Sequence, residues 1–181
     1  MTKGILGIIA CPMLEDELLF SLKQDQEPKQ IYVLDTEPAA SIRGKLERRG
    51  MPYELVPRDT FYAGNSGIDR AGYRVVIDMN RLGLHSEPKE LRSFVEQQIE
   101  DIQPLVDAVG LYYGLCGNYG WDVPAWCKKM DLKPAEVFRD GDGHVCDDCV
   151  GVCVGGGPRY LELEKKHTGK FYVTPAIADN W

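Results

Sequence analysis

Apolar residues run unbroken from Gly4 to Ala10 (Gly-Ile-Leu-Gly-Ile-Ile-Ala), the pattern of a buried strand, and Cys11-Pro12 closes the run. Behind it, Met13, Leu14, Leu18, Leu19 and Leu22 are spaced for one face of a helix over residues 13–23. Lys29 to Leu34 (Lys-Gln-Ile-Tyr-Val-Leu) predicts a second strand. Pro38 opens a helix through Arg49 and Gly50 ends it, the expected asymmetry of helix punctuation. A chain that begins β-α-β-α predicts a parallel sheet joined by crossover helices.

The pattern then loosens. Residues 56–72 are rich in Gly, Asn, Asp and Arg and predict a loop or irregular insertion. Tyr73 to Asp78 predicts a further strand, and Ser86 is the expected N-cap of a helix reaching about Gln103. Val106 to Tyr113 predicts another strand, closed by Gly114-Leu115-Cys116-Gly117-Asn118, and a short helix is expected over 123–130. Residues 139–158 are rich in Gly and Asp, and Phe171 to Thr174 predicts a last strand. No repeat, linker or low-complexity tract divides the chain, so the expectation is a single α/β domain over residues 1–181 with a mostly parallel open sheet. A further C-terminal helix is expected beyond Trp181.

Composition narrows the partners. The net charge is −7 and the pI about 5.0, so no basic face is available for nucleic acid. No apolar run approaches the roughly 20 residues of a membrane span, and the first strand lacks the basic flank and cleavage site of a signal peptide. A cytoplasmic location is expected. There the 6 cysteines are kept as thiols rather than paired in a disulfide framework.

Those thiols carry the candidate chemistry. Cys11 directly follows the first strand, and Cys116 follows the strand that ends near Tyr113. If both strands are parallel, both thiols lie on the carboxyl edge, where open α/β sheets build ligand sites. Cys146 and Cys149 have the Cys-x-x-Cys spacing that lets two sulfurs ligate one metal or cluster, and Cys153, four residues beyond Cys149, shares its face if the segment is helical. A structural zinc site usually uses two such pairs, and only one is present. An iron–sulfur cluster tolerates scattered thiolates. The order Cys-x2-Cys-x3-Cys is the reverse of that in radical enzymes using S-adenosylmethionine, which excludes that class. A thioredoxin-like dithiol is opposed by Asp147 and Asp148, whose charges disfavour thiolates. Cys127, inside the predicted helix at 123–130, is expected in the core.

Glycines frame the same segments. Gly114, Gly117 and Gly120 bracket Cys116, and Gly155-Gly156-Gly157 follows Cys153, so Gly114, Gly117, Gly155 and Gly156 are candidate cofactor-binding positions through close backbone approach. Tight turns explain the same glycines equally well. Neither run is a Walker loop or a dinucleotide fingerprint. Asp35 and Asp78 end strands and are placed to reach the same rim; His85 reads as a helix-entry or surface residue.

The strand end Ala10-Cys11, Leu84-His85-Ser86-Glu87-Pro88, Tyr113-Gly114-Leu115-Cys116-Gly117, Asp148-Cys149 before a glycine run, and Gly169-Lys170-Phe171-Tyr172-Val173-Thr174-Pro175 together resemble the DUF1638 proteins of methanogens and anaerobic bacteria. The likeness spans nearly the whole chain, its short motifs gaining specificity from their order. It implies three recurring cysteines, which fall on Cys11, Cys116 and Cys149; Cys127, Cys146 and Cys153 are then additions. It also implies an anaerobic setting in methanogenesis or related metabolism, beside corrinoid-dependent methyltransferase systems. The resulting expectation is a protein holding an iron–sulfur cluster, or alternatively zinc, through Cys11, Cys116 and Cys149 with Cys146 or Cys153. Its task would be redox or methyl-group handling with a corrinoid protein or methyltransferase as partner. The alternative is a non-enzymatic accessory protein that binds a corrinoid protein or delivers metal.

Overall fold

The apolar runs that open the chain become the centre of one sheet. In the computed structural model, which describes residues 2–84, 88–114, 121–146 and 148–180, six strands lie in the order β3-β2-β4-β1-β5-β6, every pairing parallel. They are β1 (Gly4–Ala10), β2 (Lys29–Asp35), β3 (Tyr53–Pro57), β4 (Tyr73–Met79), β5 (Ala108–Tyr112) and β6 (Ala135–Val137). The α/β class and the parallel sheet are as the sequence predicts.

Helices cover both faces. α1 (Glu15–Gln24) and α2 (Ala40–Arg48) bury Leu18, Leu19, Leu22, Ile42 and Leu46 against Ile8, Val33, Val75 and Ile77 on one face. α3 (Arg58–Tyr62), α4 (Pro88–Ile102) and α5 (Val123–Lys129) bury Phe61, Val95, Ile99, Ile102, Val123 and Cys127 on the other, against Ile5, Ile9, Val76 and Leu111. The division follows from right-handed crossovers: connections moving toward β3 cover one face, and those moving toward β6 cover the other. Cys127 is 2% exposed, the core residue its helix predicts.

This topology positions the rim. The chain leaving β1 goes to one face, whereas the chains leaving its two neighbours, β4 and β5, go to the other. Crevices therefore open at the carboxyl end of β1 on both sides, the place where open α/β sheets bind ligands. Cys11 stands there.

The remaining chain wraps this edge. α6 (Cys149–Val154) packs on α7 (Gly157–Lys166), and α8 (Pro175–Asn180) packs on α1 and on the 3-10 turn Pro12–Leu14. A small third core forms beneath α6 from Leu14, Cys146 and Val152, with Tyr112, Phe138 and Cys149 against it.

Three local expectations change. Residues 56–72 are not all irregular, since they hold the end of β3 and all of α3. The short strands β3 and β6 are additional, and so is α7. Phe171 to Thr174 forms no strand: Phe171 is 70% and Val173 64% exposed, while Tyr172 packs edge-on against Tyr160 of α7 at 5.3 Å. The N-cap predicted at Ser86 lies outside the described residues.

Candidate functional site

The ladder continues one residue past β1. Ala10 is level with Met79 and with Tyr112, the Asn80 amide donates to Ala10 O at 2.9 Å, and the Cys11 amide donates to Tyr112 O at 3.0 Å. Asn80, Cys11 and Tyr113 therefore stand side by side across β4, β1 and β5. Cys11 is extended (φ −84°, ψ 138°) and its side chain packs with the α4-side core, as does Tyr113. Cys11 itself is half-buried.

A polar network runs inward from this row. The Asp78 carboxylate, 1% exposed, accepts from Arg58 (Nε at 3.2 Å to each oxygen, Nη2 at 3.1 Å), from Tyr62 Oη at 2.7 Å and from Gln98 Nε2 at 2.9 Å. Asn80 Nδ2 donates to Gln98 Oε1 at 2.8 Å and to Tyr113 Oη at 2.7 Å. Arg58 also lies over the Tyr62 ring, 4.5 Å from its centre. A buried carboxylate without partners is costly, and here four donor atoms satisfy it. Burial, and then the adjacent Asp78 charge, push the Tyr62 phenol well above its usual range, so it stays a proton donor. Alternation explains the placement, because Asp78 shares a side of β4 with Val76, which faces α4.

The second cysteine segment reaches the rim through a glycine. A β-carbon on Gly114 would lie 2.5 Å from the Asp148 carbonyl carbon and 2.7 Å from the Cys149 nitrogen, so only glycine lets these backbones meet. Asp148 then caps α6, its side chain accepting from the Gly151 amide at 2.6 Å. Cys149, half-buried, starts the helix directly behind that cap. The sequence-predicted Gly114 thus brings Cys149 to the end of β5. Gly155 and Gly156 do something different: with φ of 98° and 113° they end α6 and cap α7.

Two other thiols lie close to Cys149, Cys146 in the same small core and Cys153 within electrostatic reach of it. Cys146 is 2% exposed, packed in the small core with Leu14 and Val152. Cys153 donates from Sγ to Glu17 Oε1 at 3.0 Å. Burial, and then the Glu17 carboxylate, push its thiol far up, which keeps its proton on. Cys11, Cys127, Cys146, Cys149 and Cys153 are thiols outside any disulfide. Cys116, Gly117 and His85 lie outside the described residues.

As donors, Cys11 and Cys149 suit a thiophilic metal: both are soft ligands at an accessible rim, with an apolar shell beneath Cys149. Among the described residues, the trio of ligand-type side chains with mutually close atoms is Asp140, Asp142 and His144, which no sequence reading singled out; the described thiols form no such trio. On the opposite side of the rim, Lys45 (4% exposed) is enclosed by Glu15 at 3.2 Å, Asp16 at 2.7 Å and Asp179 of α8 at 2.9 Å.

The network at Asp78 was half visible in sequence. The end of an apolar strand points to Asp78 at the rim, but Arg58, Tyr62, Asn80 and Gln98 share no spacing that links them, and Arg58 and Tyr62 fall in a stretch whose composition predicts irregular structure.

The family described as "Protein of unknown function (DUF1638)" matches residues 79–181. That is more than half of the chain, and the chain belongs to this family. No curated protein and no solved structure matches it. No helix among the described residues is long and apolar enough to cross a membrane.

Proposed function

We propose that this DUF1638 protein holds a thiolate-ligated metal centre, an iron–sulfur cluster or a zinc ion, at the carboxyl rim of its sheet. Cys11 and Cys149 are two of the ligands, and Cys116 supplies the third. One observation carries this reading: Gly114 docks the start of α6 onto the end of β5, so two cysteines 138 positions apart serve one sheet edge (149 minus 11). Such a centre supplies either low-potential electrons or an activated thiolate. Both suit redox or methyl-group handling beside a corrinoid protein or methyltransferase. Reduced thiols suit a cytoplasmic setting.

The chain's own residues define the rest of the site. The apolar set of Leu14, Val152, Tyr112 and Phe138 limits water behind Cys149, which raises the strength of charge interactions at the sulfur. The Asp78 network stiffens the opposite wall.

The test is anaerobic purification followed by a visible spectrum and iron, zinc and sulfide analysis per chain. Stoichiometric metal that is lost in Cys11→Ser and Cys149→Ser but kept in Cys153→Ser supports the assignment. A colourless, metal-free protein overturns it. Metal that a chelator removes readily from the wild type would favour the carrier role over a resident centre.

A further inference from the structure

Asp140, Asp142 and His144 stand on one tight turn after β6. The Asp140 amide donates to His144 O at 2.8 Å, the Gly143 amide donates to Asp140 O at 3.0 Å, and Gly143 takes φ 82°. Arg139 and Val145 bridge antiparallel on either side. This closure brings one ligand-type atom from each of the three side chains within 4.8 Å of the others. A cluster of this kind is common on protein surfaces and by itself assigns nothing. Asp140 adds what an ordinary acidic turn lacks. Its side chain is 3% exposed, against 69% for His144.

The charge on that buried carboxylate is only half answered. Its Oδ1 accepts from the Asp142 amide at 3.0 Å and from the His144 amide at 2.8 Å. Its Oδ2 is buried and meets no donor among the described residues. No described lysine or arginine pairs with Asp140 or Asp142, and neighbouring Arg139 is held by Glu136 at 3.3 Å. His144 Nδ1 is 3.7 Å from Oδ1, too far for a hydrogen bond, and at its exposure water screens any ion pair. The fold nonetheless makes room for the bare oxygen. A β-carbon on Gly156 would stand 2.5 Å from Asp140 Oδ2, so the glycine at the α6–α7 junction cradles it. Buried charges are kept where they are paired or coordinate a metal, and here the chain supplies no partner.

We infer that Asp140, Asp142 and His144 form a site for a divalent cation of hard or borderline character, exemplified by Mn2+. Two carboxylates balance the charge of the ion, and a set of carboxylate oxygens with one imidazole suits first-row divalent metals. A ligand atom lies roughly 2.1 Å from such an ion, so two ligands of one ion are about 3.0–4.2 Å apart. The 3.7 Å pair of His144 Nδ1 and Asp140 Oδ1 falls inside that span. Asp142 and His144 are exposed, so they close on the ion by rotation and leave its remaining positions to water. The bound ion ties the turn to the Gly156 junction and so braces α6, which carries Cys149. The site uses no thiol, and it stands or falls separately from the thiolate centre at the rim.

The experiment titrates Mn2+ into full-length protein that has been treated with EDTA and desalted, and counts the free ion by electron paramagnetic resonance. The wild type should bind a single Mn2+ per chain saturably. Asp142→Asn and His144→Ala, both at exposed positions where the fold tolerates change, should each weaken binding at least about tenfold. Glu136→Gln removes an exposed carboxylate on the adjoining strand and should leave binding unchanged, as should Cys11→Ser and Cys149→Ser. Mn2+ should also raise the thermal midpoint of the wild type more than that of Asp142→Asn or His144→Ala. A wild type without a saturable site overturns the inference, and so does binding that survives both Asp142→Asn and His144→Ala. Binding that is lost in the cysteine variants instead would put the ion at the rim and overturn it too. A metal-free rim beside an intact Mn2+ site overturns only the thiolate reading.

Discussion

Gly114 lies against Asp148 so closely that a β-carbon there would stand 2.5 Å from the Asp148 carbonyl carbon. The neighbour in the way is backbone that also caps α6, so it cannot rotate aside as a side chain would. Gly114→Ala should therefore push the start of α6 off the β5 end. The expected loss is about 1–3 kcal/mol in urea unfolding, the usual cost of overpacking. Metal content should fall with it, because Cys149 rides on the displaced segment. A Gly114→Ala protein with wild-type stability and wild-type metal content would show that the contact does not position the cysteine.

Arg58→Ala should destabilise more than an ordinary surface substitution. It removes the cation from a carboxylate that is 1% exposed, while Tyr62 and Gln98 remain as neutral donors. Breaking a fully buried pair costs about 3–5 kcal/mol. Here the Arg58 side chain is 38% exposed, so water screens part of the interaction and the loss should be roughly 2–3 kcal/mol. Thermal and urea unfolding would measure it. A change below about 0.5 kcal/mol, the range of neutral surface sites, would mean that the network does not depend on the guanidinium.

How much of this was legible in the sequence depended on which signals were local. The long apolar strands and the helices with clear faces were readable, because burial on a central sheet needs continuous Val, Ile and Leu. β3 and β6 give no clear strand signal because edge strands are short and partly polar: Tyr53-Glu54-Leu55-Val56-Pro57 and Ala135-Glu136-Val137. Phe171-Tyr172-Val173-Thr174 has strong strand propensity, yet the chain runs there as an irregular approach to α8, so context overrode propensity. The parallel-strand argument alone puts Cys11 at the carboxyl end of β1, where the structure has it. The Asn80–Gln98–Asp78 series was not readable, as it joins β4 to α4 and α3 through distances that no sequence spacing encodes. Gly114 carried a usable signal, a glycine directly after a strand, though its partner Asp148 did not.

Glu15 gives a pH dependence of unusual sign for a carboxylate. It is 0% exposed, and burial outweighs Ser41 and Lys45 to raise its pKa above the ordinary value of 4.5. A carboxyl with a raised folded pKa binds its proton more tightly in the folded state. Its contribution is therefore fully favourable below 4.5 and is lost as pH rises through the folded value. Asp107 acts oppositely: the Ile5 amide, and then Arg70, hold it below 3.8, so its contribution is present above that value and is lost on acidification. Glu15→Gln removes the first effect and leaves the second. The stability of Glu15→Gln relative to wild type should rise as pH increases from about 4 to 8. A difference that stays flat across the series of unfolding curves would exclude a raised Glu15 pKa.

Cysteine reactivity should divide along the same lines as the geometry. In the native, metal-free protein, iodoacetamide should label Cys11 and Cys149 first, since both are half-buried at the rim. Cys127 and Cys146, each 2% exposed, should label only as fast as the protein opens. Cys153 is the informative case, because it is not so deeply buried, yet its proton is held by Glu17 Oε1 at 3.0 Å. Two causes raise its pKa, burial first and the Glu17 carboxylate second, and a substitution can separate them. Glu17→Gln abolishes the charge but leaves the burial, so Cys153 should speed up several-fold and still lag behind Cys11. If Cys153 reached the rate of Cys11, the carboxylate would be the dominant brake. If Cys153 already labelled as fast as Cys11 in the wild type, the Cys153–Glu17 hydrogen bond would not hold in solution, and its sulfur would rejoin the candidate ligands.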